Sequence, residues 1–216
     1  MGTGDPARDD TRSEPKSEAR PEETLTPPEP TLGEVEEILL PRDLYGRLVA
    51  HARRKLTRRY FPGEEREPKA YGLLGARLSG GRAELTSIFP LTRNLRYRPD
   101  VKAHLDQLME ETAFPSETPL HKRGWVADPA EVLAAQRACD ETGAALFGSY
   151  HMHRVAWEHD PRRDGCTAVD TRLAADSGMW VLILSMVDPR NPTLRAFYEA
   201  RNDAERPIHL MPGTEL

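Results

Sequence analysis

Cysteine is almost missing from this chain of 216 residues: Cys139 and Cys166 are its only two. Two thiols cannot build a disulfide framework, and they fit a reducing cytoplasm. Long apolar runs are missing too. None approaches the roughly eighteen residues a membrane-spanning helix needs, and a start made of Asp, Arg, Pro and Glu lacks the basic beginning and apolar run of a signal peptide. A soluble cytoplasmic protein with no membrane partner is expected. Positive charge is also in deficit. Lys and Arg number 30 against 35 Asp and Glu, a net charge of −5 with a pI near 5.8, so no global field attracts nucleic acid and none is expected as partner. Large apolar residues are scarce at the start, where residues 1–30 hold six prolines, eight acids and four bases. Such a segment cannot repay the entropy of folding, and residues 1–33 are predicted to be a disordered tail. With 38% hydrophobic residues, the remaining 34–216 can bury one core and form one domain.

What the chain does have is an ordered series of elements. Leu44, Tyr45, Leu48, Val49 and Ala52 recur at helical spacing from Pro41, and the helix ends in a basic run, Arg53 to Arg59, that suits the macrodipole. Ala70–Gly75 and Ala83–Phe89 read as paired strands around the turn Ser79-Gly80-Gly81. Residues 95–124 carry little periodicity beyond a short helix over Val101–Met109 and read as an insertion. Asp128-Pro129 opens a helix that Gly143 closes, with Cys139 as a core thiol. Trp180–Met186 is a buried strand, Thr193–Tyr198 another, and Ile208–Pro212 a final edge strand on which His209 is structural.

The chemistry sits at Gly148-Ser149-Tyr150-His151-Met152-His153. It follows the apolar run Ala144–Phe147, so His151 and His153 project from one face at the end of a strand. Two imidazoles at i and i+2 can share one ion, and a carboxylate from the next helix completes a three-ligand site with a position open for water. An H-x-H pair alone is more often a surface feature. Here it lies between two apolar strands and ahead of an aspartate at a helix start.

At these residues the chain resembles the JAMM/MPN metallopeptidase family, whose signature is H-S/T-H, then Ser-x-x-Asp, with a glutamate from far upstream. His151-Met152-His153 matches the first part. Leu48–Arg53 looks like the family's first helix, Tyr71–Gly75 like its first core strand, Arg82–Pro90 with Asn94 like the next strand and turn, and Asp128–Gly143 like the helix before the histidines. The resemblance covers most of residues 35–210 with every landmark in order. It implies an α/β fold of MPN/JAMM type, similar to cytidine deaminases, with a mixed sheet sandwiched between the Pro41 and Asp128 helices. It also implies a Zn2+ cofactor and hydrolysis of an amide or isopeptide bond at the C-terminal tail of a ubiquitin-like protein or related carrier.

Two positions depart from the family pattern. Literal spacing, eleven residues after the second histidine, picks Asp164 as third ligand, but Thr167-Ala-Val-Asp170 matches Ser-x-x-Asp with Thr for Ser and sets the next strand at the right distance. Asp170 is the ligand expected, behind a loop six residues longer than usual. The resemblance makes Thr167 the hydroxyl that stabilises the oxyanion. His159, Glu158 and Asp160 in the loop are either substrate contacts or solvated groups. The second departure is Lys69, which stands where the family has its catalytic glutamate. A lysine beside a divalent cation is a poor proton acceptor. Glu67, two residues earlier on the same face of an extended segment, is the replacement base expected, with Glu110 or Glu111 behind it. If none serves, the alternative is a catalytically silent MPN module that binds partners. The oligomeric state is left open.

Overall fold

Alternation dictates the first element of the computed structural model, which describes residues 1–2 and 31–212. Ile38 and Leu40 point inward from β1 (Glu37–Pro41), whose other residues are only half-buried. The predicted tail lies almost wholly outside the described residues. β1 runs straight into α1 (Arg42–Leu56), where Leu44, Leu48, Val49 and Ala52 make one buried stripe and Arg53, Arg54 and Lys55 complete the last turn. Burying a side chain such as Leu48 contributes about 1.5–3 kcal/mol.

The hairpin of β2 (Tyr71–Ser79) and β3 (Arg82–Pro90) turns through Gly80 and Gly81, both at positive φ. Then come α2 (Pro99–Thr112), α3 (Pro129–Asp140), β4 (Ala145–His153), α4 (Ala168–Ala174), β5 (Trp180–Ser185), β6 (Thr193–Tyr198), β7 (Glu205–Arg206) and β8 (Ile208–Met211). Asp128 caps α3 by accepting from the Ala130 amide at 2.9 Å. The eight described strands form one mixed sheet in the order β7-β6-β5-β4-β2-β3-β1-β8. β4 and β5 are parallel, as are β1 and both its neighbours. The sheet coils far enough that β6 and β8, near its opposite edges, approach one another.

Helices cover both faces. On one, Leu44 and Leu48 of α1 join Leu74, Leu85, Phe147, Tyr150, Trp180 and Leu182. On the other, Ala135 and Val132 of α3 pack on Tyr71, Leu73 and Leu146, while Cys166 and Ala174 beside α4 meet Val181 and Ile183. α2 leans on α4 through Leu105, Leu108, Met109 and Val169.

Residues 95–124 are more ordered than their weak periodicity suggests. The helix predicted over Val101–Met109 extends to Pro99–Thr112. Arg96 is fully buried, ion-paired to Asp106 and donating Nε to the Arg123 carbonyl at 2.9 Å. A charge satisfied in this way anchors the segment as an apolar residue would, and hydropathy patterning cannot register it.

The β2–β4 ladder pairs Leu74 with Gly148 and Gly75 with Leu146, leaving Phe147 as an extra residue. This bulge puts Phe147 and Tyr150, three apart, on the α1 face. Gly148 makes the close approach possible, because a Cβ there would stand 2.0 Å from the Trp180 carbonyl oxygen of β5. Gly46, exposed inside α1, has nothing within 4 Å of the same atom. Substitution by alanine should therefore act with opposite signs. Gly148→Ala is expected to cost at least ~3 kcal/mol or prevent folding, and Gly46→Ala to add ~0.5–1 kcal/mol. Denaturant melts of the two variants against wild type measure both.

Candidate metal centre

The bulge leaves His151 and His153 on the face opposite Tyr150 and Met152, at the C-terminal end of β4. There His151 pairs across strands with Tyr71. Trp125 lies flat on the Tyr71 ring at 5.1 Å between centroids and stands 6.2 Å from His151, walling the site on one side. The imidazoles meet Nε2 to Nε2 at 3.2 Å. Asp170 comes from the first turn of α4 and sets Oδ1 3.2 Å from His151 Nε2 and Oδ2 3.7 Å from His153 Nε2.

Three donors of two types, imidazole and carboxylate, at these separations fit a metal ion. Tetrahedral zinc with bonds of about 2.0–2.1 Å would hold its ligand atoms roughly 3.3–3.4 Å apart, and the residues that could hold it are His151, His153 and Asp170. The protonation chemistry agrees. His153 Nδ1 lies 3.0 Å from the Arg163 carbonyl, which can only accept, so Nδ1 carries the proton and Nε2 keeps its lone pair for a ligand. Burial pushes the His153 pKa down to about 3, partly opposed by Asp170, so the ring is neutral at physiological pH. Burial works against ionisation of Asp170, yet His151 beside it and the Thr167 amide hold it well below the usual carboxylate range. His151 Nδ1 is buried with no protein partner among the described residues.

Asp170 is positioned by its own helix start. The Thr167 amide and hydroxyl both donate to Oδ2 at 2.7 Å, and the Thr167 oxygen accepts from the Asp170 amide at 3.2 Å, a reciprocal cap. This alters the expectation for Thr167. Its hydroxyl proton is committed to the carboxylate, which makes it a group that orients Asp170 rather than one free to meet an oxyanion. The rival, Asp164, is buried away from the histidines, 3.0 Å from Arg195 Nη1.

Glu67 and Lys69 line the same cleft of about 1330 Å³ as the His-His-Asp group. Lys69 Nζ stands 2.7 Å from Glu67 Oε2 and donates to the Gly124 carbonyl at 2.9 Å. Glu67 Oε1 accepts from Tyr71 at 2.9 Å and Asn94 at 2.7 Å, and Oε2 also accepts from Tyr97 at 3.1 Å. Burial would raise the Glu67 pKa, but Lys69 and these donors lower it. Burial lowers that of Lys69, with Glu67 opposing. Glu110 and Glu111 are a correction to the sequence reading. Both lie on the exposed side of α2, outside the cleft, with Glu111 taken by Gln107, because the apolar side of that helix packs inward. In the loop, Asp160 pairs with Arg163, His159 packs on Phe114 at 4.1 Å between centroids, and Glu158 is exposed.

Sequence reasoning missed the Arg163 carbonyl, Trp125, Tyr97 and the amide of Asn94. The carbonyl left no signal, since any residue supplies one.

What fold and site define is a mixed α/β protein with a His-His-Asp group in an open cleft. No model of a known protein family matches the chain, and no characterised protein matches it in sequence. Among solved structures it is similar to a protein from Desulfitobacterium hafniense, determined in solution, at 25% identity over 82% of this chain and 95% of that one, with a TM-score of 0.54. A protein from Salinibacter ruber matches at 20% identity over 82% and 92% of the two chains, with a TM-score of 0.42. The first likeness extends the fold across nearly the whole of its partner.

Protein purified without chelators is expected to carry about one zinc, and His151→Ala or His153→Ala to remove it. Asp170→Asn should weaken binding strongly, and Thr167→Ala by roughly 10–100-fold through loss of the orienting bond, with Thr167→Ser close to wild type. Asp164→Asn should keep the metal while lowering the melting temperature. Elemental analysis and zinc titration decide. Loss of metal in Asp164→Asn with retention in Asp170→Asn would reverse the ligand assignment.

Proposed function

We propose that this protein is a zinc-dependent peptidase or isopeptidase of JAMM/MPN type that hydrolyses an amide bond at the C-terminal tail of a ubiquitin-like protein or related carrier. The observation that carries the reading is the convergence of His151, His153 and Asp170 in an open cleft, on the strand and helix and in the chain order that the resemblance assigns to zinc ligands. The same reading takes the mixed sheet, with α1 on one face and α3 on the other, as an MPN fold. Zinc held by these residues would supply Lewis acidity, polarising the scissile carbonyl and letting water lose a proton near neutrality.

The chain's own groups do the rest. The Arg163 carbonyl and Thr167 fix the tautomer of His153 and the orientation of Asp170. Trp125 walls the cleft beside His151. Glu67 is the base: its Oε2 takes the proton of the attacking water and later delivers it to the leaving amine. To do so it must release Tyr97 or Lys69, since both its oxygens already accept two bonds. The second reading, a catalytically silent module that binds partners, draws on Lys69 in the glutamate position and on its ion pair with Glu67.

Glu67→Gln should reduce cleavage of a ubiquitin-like fusion by roughly 10²–10⁴ without changing zinc content. Lys69 holds the Glu67 pKa down, so Lys69→Met should raise it and move the acid limb of kcat/KM to higher pH. Full activity in Glu67→Gln would remove Glu67 from the mechanism. A wild type that binds zinc but cleaves no fusion, with cleavage gained in Lys69→Glu, would establish the silent module.

A further inference from the structure

The cleft carries a charge opposite to that of the chain. Its acids are Glu67, Asp160 and Asp170, and each is committed: to Lys69, to Arg163 and to the two histidines. Beyond Lys69 and Arg163, its cations are not. Among the described residues Arg58, Arg66, Lys122 and Arg154 line the cleft with no carboxylate partner, and Arg123 bonds only to the backbone carbonyls of Phe114, Ser116 and Thr118. A protein of net charge −5 thus gathers an unbalanced positive field in this cleft.

Crowding these cations together has a cost. Burial is what most disfavours the charges of Lys69 and Arg123, and Arg154 and Arg163, respectively, add to it. Like charges packed into one half-buried space repel, and an anion entering between them relieves the repulsion. Two cleft residues, Arg58 and Arg163, also adopt left-handed φ of 57° and 52°, a conformation disfavoured for side chains of this kind.

The size and walls of the space select among anions. At about 1330 Å³ it exceeds the ~300–1,000 Å³ of most small-molecule sites, and it is bordered by Trp125, Trp157 and the half-exposed Phe114. An extended chain bearing both carboxylates and apolar side chains uses such a surface. A nucleic acid would have to approach a chain whose net charge is −5.

We propose that the cleft binds an acidic polypeptide segment, the anionic stretch beside the bond to be cut, through Arg58, Arg66, Lys122 and Arg154. This specifies the substrate class of the amide hydrolase described above and rests on that reading for the cleavage, though not for the binding. The two are separable by experiment. Three fluorescent peptides of equal length, rich in Asp and Glu, neutral, and rich in Lys, are titrated by anisotropy into the full-length protein at low and high salt, with a single-stranded oligonucleotide as a fourth ligand. The acidic peptide should bind at least tenfold tighter than the others and weaken as salt rises. The double charge reversal Arg154→Glu, Lys122→Glu, both exposed and checked for folding by circular dichroism, should abolish that preference. Equal binding of the three peptides, preference for the basic one, tighter binding of the oligonucleotide, or an unchanged preference in the folded double variant would each overturn the proposal. Tight, salt-sensitive binding of an acidic peptide by a protein that cuts no amide would uphold the recognition and sink the hydrolase.

Discussion

Successive side chains of a strand point to opposite faces, so in an unbroken β4 Phe147, His151 and His153 would all lie on one side. They do not, because Phe147 is an extra residue in the ladder with β2. Its ring packs under α1 with Tyr150 and Trp180, and after it the pattern is reset so that the histidines face α4. A shift of one residue would bury two imidazoles against α1 and bring Tyr150 to the cleft. Everything the site can do depends on that reset. It is held on both sides, by a second break in register where β3 fits an extra residue against β2, and by the absence of a side chain at Gly148.

Electrostatics then separates two neighbouring sets of groups that share a cleft. Around the histidines, burial keeps His153 neutral while Asp170 stays ionised. For His153 and Asp170 this is the protonation state that ligands for a divalent cation need. Around Glu67 the reverse logic applies. A buried carboxylate left alone would tend to protonate, and Lys69, Asn94, Tyr71 and Tyr97 hold it charged. The ion pair with Lys69 makes that corner nearly neutral, so the lysine does not add its whole charge to the field that the ligands must hold.

Most of the frame was legible in the sequence because it rests on periodicity and punctuation. The helix after Pro41, the hairpin at Gly80-Gly81, the Asp128 cap and the edge strand at Ile208 all fall where pattern and turn chemistry put them. Asp170 was legible for the same reason, since Thr167-x-x-Asp is a helix start, and the choice over Asp164 followed from the position of β5. The bulge was not. Hydropathy sees the same apolar run Ala144–Phe147 whether or not one residue is unpaired. Nor was the order in 95–124, where Arg96 does by charge pairing what an apolar anchor does elsewhere. Thr167 was legible as a helix start but its bond to Asp170 was not, because sequence spacing locates a hydroxyl but not the direction of its proton.

The position of Glu67 shows how register carries over beyond the sheet. Tyr71 stands opposite His151, and residues two and four before it in an ideal strand would share its face, roughly 7 and 13 Å further back at about 3.3 Å per residue. At that distance a glutamate could not reach the histidines. The chain bends at Glu67 and Pro68, however, and the Glu67 carboxylate folds back to accept the Tyr71 hydroxyl at 2.9 Å. Tyr71 thus joins the two halves of the cleft: its backbone is in register with a candidate ligand and its hydroxyl holds the candidate base. Lys69, nearer along the strand, turns its ammonium away from the histidines toward Gly124 and Glu67. The two side chains meet in one ion pair, which the Gly124 carbonyl and the Tyr71 hydroxyl fix in place.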